Sequence, residues 1–190
     1  MCTSRQLVAT SIWSVCCTSL LLVAAMTLPG IAHAQIADSA AVAASGSSVT
    51  YCAGTCNGVP THWKLFGLAH FERNSLVPGG YMIDQIGFGS SNYAVLTFTV
   101  PVAGTYDISA ALETEYPRNL YVWVGSESGP QATGSPFLIT GQSFKNPVEW
   151  QLGSVALQAG TNKLVFGNPT TGTQGDRCPY ISAVTITGPF

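Results

Sequence analysis

The sequence predicts an all-β protein, an antiparallel β-sandwich of jelly-roll type behind an N-terminal signal peptide. Three observations predict it. Apolar and polar residues alternate with period two in several segments beyond residue 90. Glycine and proline divide those segments at short intervals, 20 Gly and 11 Pro in 190 residues. No stretch after residue 34 carries strong helical periodicity.

The N-terminus comes first. Arg5 is the only basic residue ahead of an apolar stretch from Leu7 to Leu28, and Pro29-Gly30 interrupts any helix there. Ala32-His33-Ala34 then has the small-x-small form of a signal-peptidase site, so residues 1–34 read as a signal peptide cleaved after Ala34. The apolar run is long enough to span a bilayer, but the small-residue site directly behind it favours cleavage over a retained anchor. Cys16 and Cys17 follow Val15, where a lipidation box wants a small residue. The expected location is secreted or otherwise extracytoplasmic, with no membrane association after cleavage. Residues 35–48, rich in Ala, Ser and Gly, read as a flexible leader. The folded domain is expected over 49–190.

Within that domain the strands follow in order. Tyr93 to Val100 is apolar with β-branched and aromatic residues, and Pro101 to Gly104 turns the chain. Thr105 to Glu113 alternates, with Tyr106, Ile108 and Ala110 on one face and Asp107 and Ser109 on the other. Asn119 to Gly125 sets Leu120, Val122 and Val124 against Tyr121 and Trp123 on the opposite face. Pro136 to Thr140 is short. Val148 to Leu157 carries Trp150, Leu152, Val155 and Leu157. Gln158 to Asn162 reads as a tight turn, Lys163 to Gly167 as a strand, and Tyr180 to Thr187 as the last strand. The expected inter-sheet core is Leu96, Phe98, Val100, Ile108, Val122, Val124, Leu157, Leu164 and Ile181.

Charge excludes some functions. Only 8% of residues are charged and the formal net charge is -2. An electrostatic nucleic-acid binder needs a basic stripe, which is absent. Removing the signal removes one basic residue, Arg5, and no acidic ones.

An exported chain can keep disulfides. Past the signal three cysteines remain, Cys52, Cys56 and Cys178. One intramolecular bridge is the most they can form. Either Cys52 and Cys56 close a small loop, or one of them reaches Cys178 across neighbouring first and last strands.

Three segments in order resemble the β-jelly-roll carbohydrate-binding modules of family six and its relatives, galactose-binding-like in fold. They are Leu96 to Ile108 (LTFTVPVAGTYDI), Val155 to Phe166 (VALQAGTNKLVF) and the terminal YISAVTI from Tyr180. The resemblance covers roughly 80–187. It implies a sugar held at the loop end of the sandwich between two aromatic rings. Tyr93 matches the first aromatic position and Phe144 or Trp150 the second. The Asn the family places before its last strand is missing, and Tyr180 stands there behind Pro179. The resemblance also implies a structural calcium. Glu72 matches one carboxylate, but Ser182 and Thr185 occupy the late positions. No other cofactor is expected.

The remaining residue types offer little chemistry. Glu113 and Glu115 would share a strand face and read as a solvated edge rather than a catalytic pair. His62 and His70 are eight apart with no cysteine or carboxylate at metal spacing, which argues against zinc. An outward Tyr121–Trp123 pair would form a flat platform. The expectation is therefore a secreted, non-catalytic carbohydrate-binding module. It would hold a neutral polysaccharide or glycan by aromatic stacking, with Tyr93, Phe144 or Trp150, and Tyr180 as the contacts. The alternatives are an adhesion or surface-interaction protein on the same fold and, further off, a small hydrolase.

Overall fold

The computed structural model describes residues 46–56, 62–140, 146–172 and 176–190, all within the unit Ala41–Phe190. The expected signal peptide, the leader up to residue 45 and Phe144 lie outside the described residues. Eleven strands are formed among the described residues. The first four are β1 (Ser47–Cys52), β2 (Trp63–Leu65), β3 (His70–Arg73) and β4 (Tyr81–Asp84). Then come β5 (Ala94–Val100), β6 (Gly104–Glu113), β7 (Arg118–Val124) and β8 (Phe137–Ile139). The last three are β9 (Val148–Leu157), β10 (Gly160–Gly167) and β11 (Tyr180–Gly188).

They build two antiparallel sheets. One runs β3–β4–β11–β6–β9, with β1 also on β11; the other runs β2–β5–β10–β7–β8. β11 organises the first. One of its edges pairs with β6 from Tyr180↔Glu113 to Thr187↔Asp107. Its other edge is divided between β4, at Ile181↔Ile83, and β1, from Cys52↔Ala183 to Ser47↔Gly188.

The period-two residues of both sheets meet between them. Leu96 and Phe98 of β5, Ile108 and Leu112 of β6, Leu120 and Val122 of β7, Leu164 and Phe166 of β10 and Ile181 of β11 form one buried cluster. Every residue of the expected core is buried except Val124, which is half-buried at the end of β7. β10 starts earlier than expected. Asn162 donates from Nδ2 to the carbonyls of Gln158 (2.7 Å) and Gly160 (2.9 Å), which shortens the turn and lets Gly160 pair with Val100.

Two glycines permit close approaches. Gly153 has φ +70°, and a Cβ there would lie 1.9 Å from the Thr133 carbonyl oxygen. The resulting irregularity in β9 lets Thr133 donate its amide to Ser154 at 3.0 Å. At Gly188 a Cβ would meet the Tyr106 ring at 2.2 Å. Tyr106 is fully buried there, and its hydroxyl lies 2.8 Å from the Val102 carbonyl oxygen and 3.2 Å from that of Pro189.

Of the two disulfide pairings, the structure joins Cys52 to Cys56. Cys178 is free and buried. Burial pushes its thiol well above the ordinary range, against the opposing charge of Arg118.

Two outcomes follow. Leu164 is fully buried opposite Leu96, so Leu164→Ala should cost about 2–5 kcal/mol in urea unfolding; a loss under about 1 kcal/mol would place it outside the core. Cys178 should resist a thiol reagent in the folded protein and react once denatured. Rapid labelling of the native chain would contradict its burial.

Candidate functional site

The outer face of the five-stranded sheet is where the chain departs from a simple inside–outside alternation. Register aligns Lys64 of β2, Val95 of β5, Val165 of β10 and Trp123 of β7 in one row across it. Val95, Val165 and Trp123 are buried although they point away from the core, and Phe66, Tyr93 and Tyr121 pack around them. The cover comes from two places. The chain after β2 lays Phe66 on Tyr93, with ring centroids 4.3 Å apart and planes 12° apart. The turn after β7 folds back, with the Gly129 amide donating to Ser126 O at 2.8 Å and the Val124 amide to Pro130 O at 2.8 Å.

Between these covers lies an open groove of about 600 Å³, within the span of about 300–1,000 Å³ common for small-ligand sites. Val95 and Val165 lie at its base, Phe66 and Tyr93 line one part, and Gly125 to Ser128 line another. Lys64 and Lys163 add ammonium groups and Thr97 a hydroxyl. The Lys64 Nζ stands 4.9 Å from the Phe66 ring centroid. Burial raises the Glu127 carboxyl above its ordinary range.

The expected contact residues fall in different places. Tyr93 lines the groove on the five-stranded sheet. Tyr180 opens β11 in the other sheet, where its ring lies 5.5 Å from the Arg118 guanidinium. Burial, then the charge of Asp84, raises its phenol, which stays protonated at neutral pH. Trp150 is half-buried on β9 and packs against the main core. Phe144 is outside the described residues.

The Tyr121–Trp123 platform is corrected. The two rings stack on each other at 5.3 Å, but Trp123 is only 4% exposed, packed with Val95, Val165 and the rings around them. Phe66 and the two lysines were not anticipated. Phe66 and Lys64 belong to a residue pattern around β2 too short to read alone, and Lys163 lies on β10, where alternation shows only that it points outward. Phe88 is a second exposed aromatic, away from the groove's lining. It is a non-glycine at φ +62°, about half exposed, in the loop between β4 and β5. Its amide donates to Asp176 O at 2.7 Å, tying that loop to the one before β11. Such backbone strain gathers at functional sites.

The Glu113–Glu115 reading is also corrected. Glu115 is exposed, but Glu113 is fully buried at the end of β6. Ser182 donates to its Oε1 at 2.6 Å, and Asn74 Nδ2 donates to Oε2 at 3.2 Å. Burial raises this carboxyl above its ordinary range despite the Ser182 hydroxyl. The calcium that the resemblance implies does not fit these residues. Ser182 is committed to Glu113, and the Thr185 hydroxyl to that of Thr50 at 2.9 Å. Neither late position supplies the carboxylate that calcium favours.

Glu113 sets a pH dependence with a definite sign. A carboxyl whose folded-state pKa is raised binds its proton more tightly in the folded protein. Its contribution is present below the unfolded value of about 4.3 and is lost as pH rises through the folded value. The stability of the native chain relative to Glu113→Gln should therefore fall between pH 4 and pH 7 in urea titrations. A relative stability that rises over that window would overturn the assignment.

No protein-family model matches the chain, and no curated protein matches its sequence. Solved structures do match. A family 35 carbohydrate-binding module from Clostridium thermocellum is 25% identical, with a TM-score of 0.59 over 67% of this chain and 93% of that one. The family 35 module of Paenibacillus barcinonensis is 20% identical, with a TM-score of 0.56 over 74% and 98%. An exo-β-1,3-galactanase from Phanerochaete chrysosporium, solved with β-1,3-galactotriose, is 18% identical with a TM-score of 0.51. That likeness covers 75% of this chain and 29% of the galactanase. The fold is the jelly roll of the carbohydrate-binding modules, close to the family-six type that the sequence resembles.

Proposed function

We propose that the chain is an exported, non-catalytic carbohydrate-binding module whose groove beside Phe66 and Tyr93 takes a neutral glycan. The groove itself carries this reading. An aromatic ring covers the C–H face of a sugar and offers it a negative π surface. Lys64, Lys163 and Thr97 supply donors for its hydroxyls. The likeness to family 35 modules supports the same class of ligand. Binding is favoured over cleavage by the groove's composition. Among its described lining residues one carboxylate, Glu127, is present, whereas glycoside hydrolysis ordinarily uses two.

Phe88 supports a second contact surface at the loop end. It is exposed, and its backbone is held in a strained conformation by neighbouring loops. An adhesion role on the same fold would use either surface without a free glycan as ligand.

A glycan array with purified protein, followed by calorimetry on the best neutral polysaccharide, tests the proposal. Tyr93→Ala and Phe66→Ala should each weaken binding about tenfold, equivalent to ~1.4 kcal/mol. The fold should persist in both, since each side chain is only half-buried. Binding lost in Phe88→Ala and kept in the other two would move the site to the loop end. No retention of any glycan would sink the carbohydrate reading, and shortening of a labelled polysaccharide would make the protein a hydrolase.

A further inference from the structure

The hairpin of β3 and β4 gathers three metal-ligating side chains at the edge of the six-stranded sheet. This is the opposite sheet from the groove. His70 and Glu72 stand two apart on β3 and share a face. The hairpin register sets Asp84 directly across from His70. His70 Nε2 lies 3.4 Å from Glu72 Oε2 and 4.0 Å from Asp84 Oδ2. One ligand atom from each of the three falls within 4.8 Å of the others.

The second ring nitrogen shows what this cluster lacks. His70 Nδ1 is 3.1 Å from the Leu68 carbonyl oxygen. A carbonyl only accepts, so Nδ1 carries the proton and donates it. In the neutral ring Nε2 then turns a lone pair toward two carboxylates that also only accept. A positive charge among the three atoms resolves that conflict, either a second proton on Nε2, which pairs the ring with the two acids, or a metal ion in its place. An imidazole whose Nδ1–H is fixed by a backbone carbonyl, with Nε2 free, is the form in which histidine ligates metals.

We propose that His70, Glu72 and Asp84 hold a divalent first-row transition-metal ion of the zinc class, leaving one coordination position open to water. Zinc takes imidazole nitrogen at about 2.0–2.1 Å and carboxylate oxygen at about 2.0–2.2 Å. Tetrahedral ligands at that radius stand about 3.3–3.5 Å apart. The His70–Glu72 separation already matches. Asp84 has to close by roughly 0.6 Å on His70, and the two carboxylates, within 4.8 Å of each other, have to draw together as well, by rotamer adjustment. The nitrogen donor selects against calcium and magnesium, which prefer all-oxygen sites. Two carboxylates balance the charge of a dication.

Charged side chains on an edge strand also discourage pairing with other chains. That role needs no convergence of three ligand atoms on one point. An ion here fastens β3, exposed at all four positions, to β4.

The full chain, stripped with chelator and free of any sugar, is titrated with zinc chloride at neutral pH in a calorimeter. One ion per chain should bind, and excess calcium should not displace it. His70→Ala, Glu72→Gln and Asp84→Asn should each weaken binding by at least about tenfold, since even residues behind metal ligands cost that much. His62→Ala should bind as the native chain does. Zinc should raise the melting temperature of the native chain and leave that of Asp84→Asn unchanged, while the metal-free melting temperatures agree. Absence of zinc binding, equal binding by His70→Ala, or displacement by equimolar calcium would overturn the assignment. Sugar binding plays no part in these outcomes, so the site stands or falls apart from the groove.

Discussion

The outer face of the five-stranded sheet has to be covered, and much of the molecule follows from that need. Its inner face supplies the core through Leu96, Leu120, Val122 and Leu164. Its outer face still carries Val95, Val165 and Trp123. Burying one such side chain contributes about 1.5–3 kcal/mol, a large share of the margin that keeps a domain folded. A two-layer sandwich has no third layer to supply the cover. The chain flanks the row with local segments, the Gly125–Ser128 turn beside Val95 and Val165 and Phe66 over Tyr93. Short segments cannot roof the whole row. The groove is the part they leave open, and its apolar base follows from the same sequence pattern that demands the cover.

This pattern also decides what was legible in the sequence. The strands from β5 to β11, the three-residue β8 apart, announce themselves because each presents an apolar or alternating run long enough to read. β9 runs from Val148 to Leu157 as read, and the alternation in β6 places Tyr106 and Ile108 inside. β2 has three residues and β3 four, exposed throughout, and neither run is long enough to mark a period. Their places are fixed by pairing with β5 and β4, which only the folded chain reveals. Glu113 was misread for a related reason. Strand periodicity put it outward, correctly, but the outward face there is sealed by Asn74 and by Ser182 of β11. Which outward faces are covered is decided by tertiary contacts.

The candidate site shows the same division. Tyr93 was legible as an aromatic at a strand start, and it does line the groove. Its partner Phe66 was not, because the contact joins the residue after β2 to the residue before β5, two strands whose pairing was unread. Tyr93, just before β5, and Tyr180, the first residue of β11, belong to separate sheets. Position along a strand fixes which end of the sandwich a residue occupies. It leaves open which outer face the ring lies against.

The loop end differs from the groove in how it is held. Gly87 donates to Asn92 O at 2.7 Å, Phe88 to Asp176 O at 2.7 Å and Cys178 to Ile86 O at 2.8 Å. The buried Arg118 guanidinium donates to Cys178 O at 3.0 Å. These bonds lock the loop before β5 to the loop before β11 and keep Phe88 in a conformation that most residues avoid. A backbone already fixed loses little freedom on contact, so what touches the residue forfeits less of the binding energy to ordering the loop. The groove offers apolar area and hydrogen-bond donors, and the loop end offers an exposed ring on a fixed backbone. A glycan long enough to meet both would gain from the second contact without the ordering cost of a mobile loop. A short one would be held by the groove alone, and chain length would then separate the two contributions.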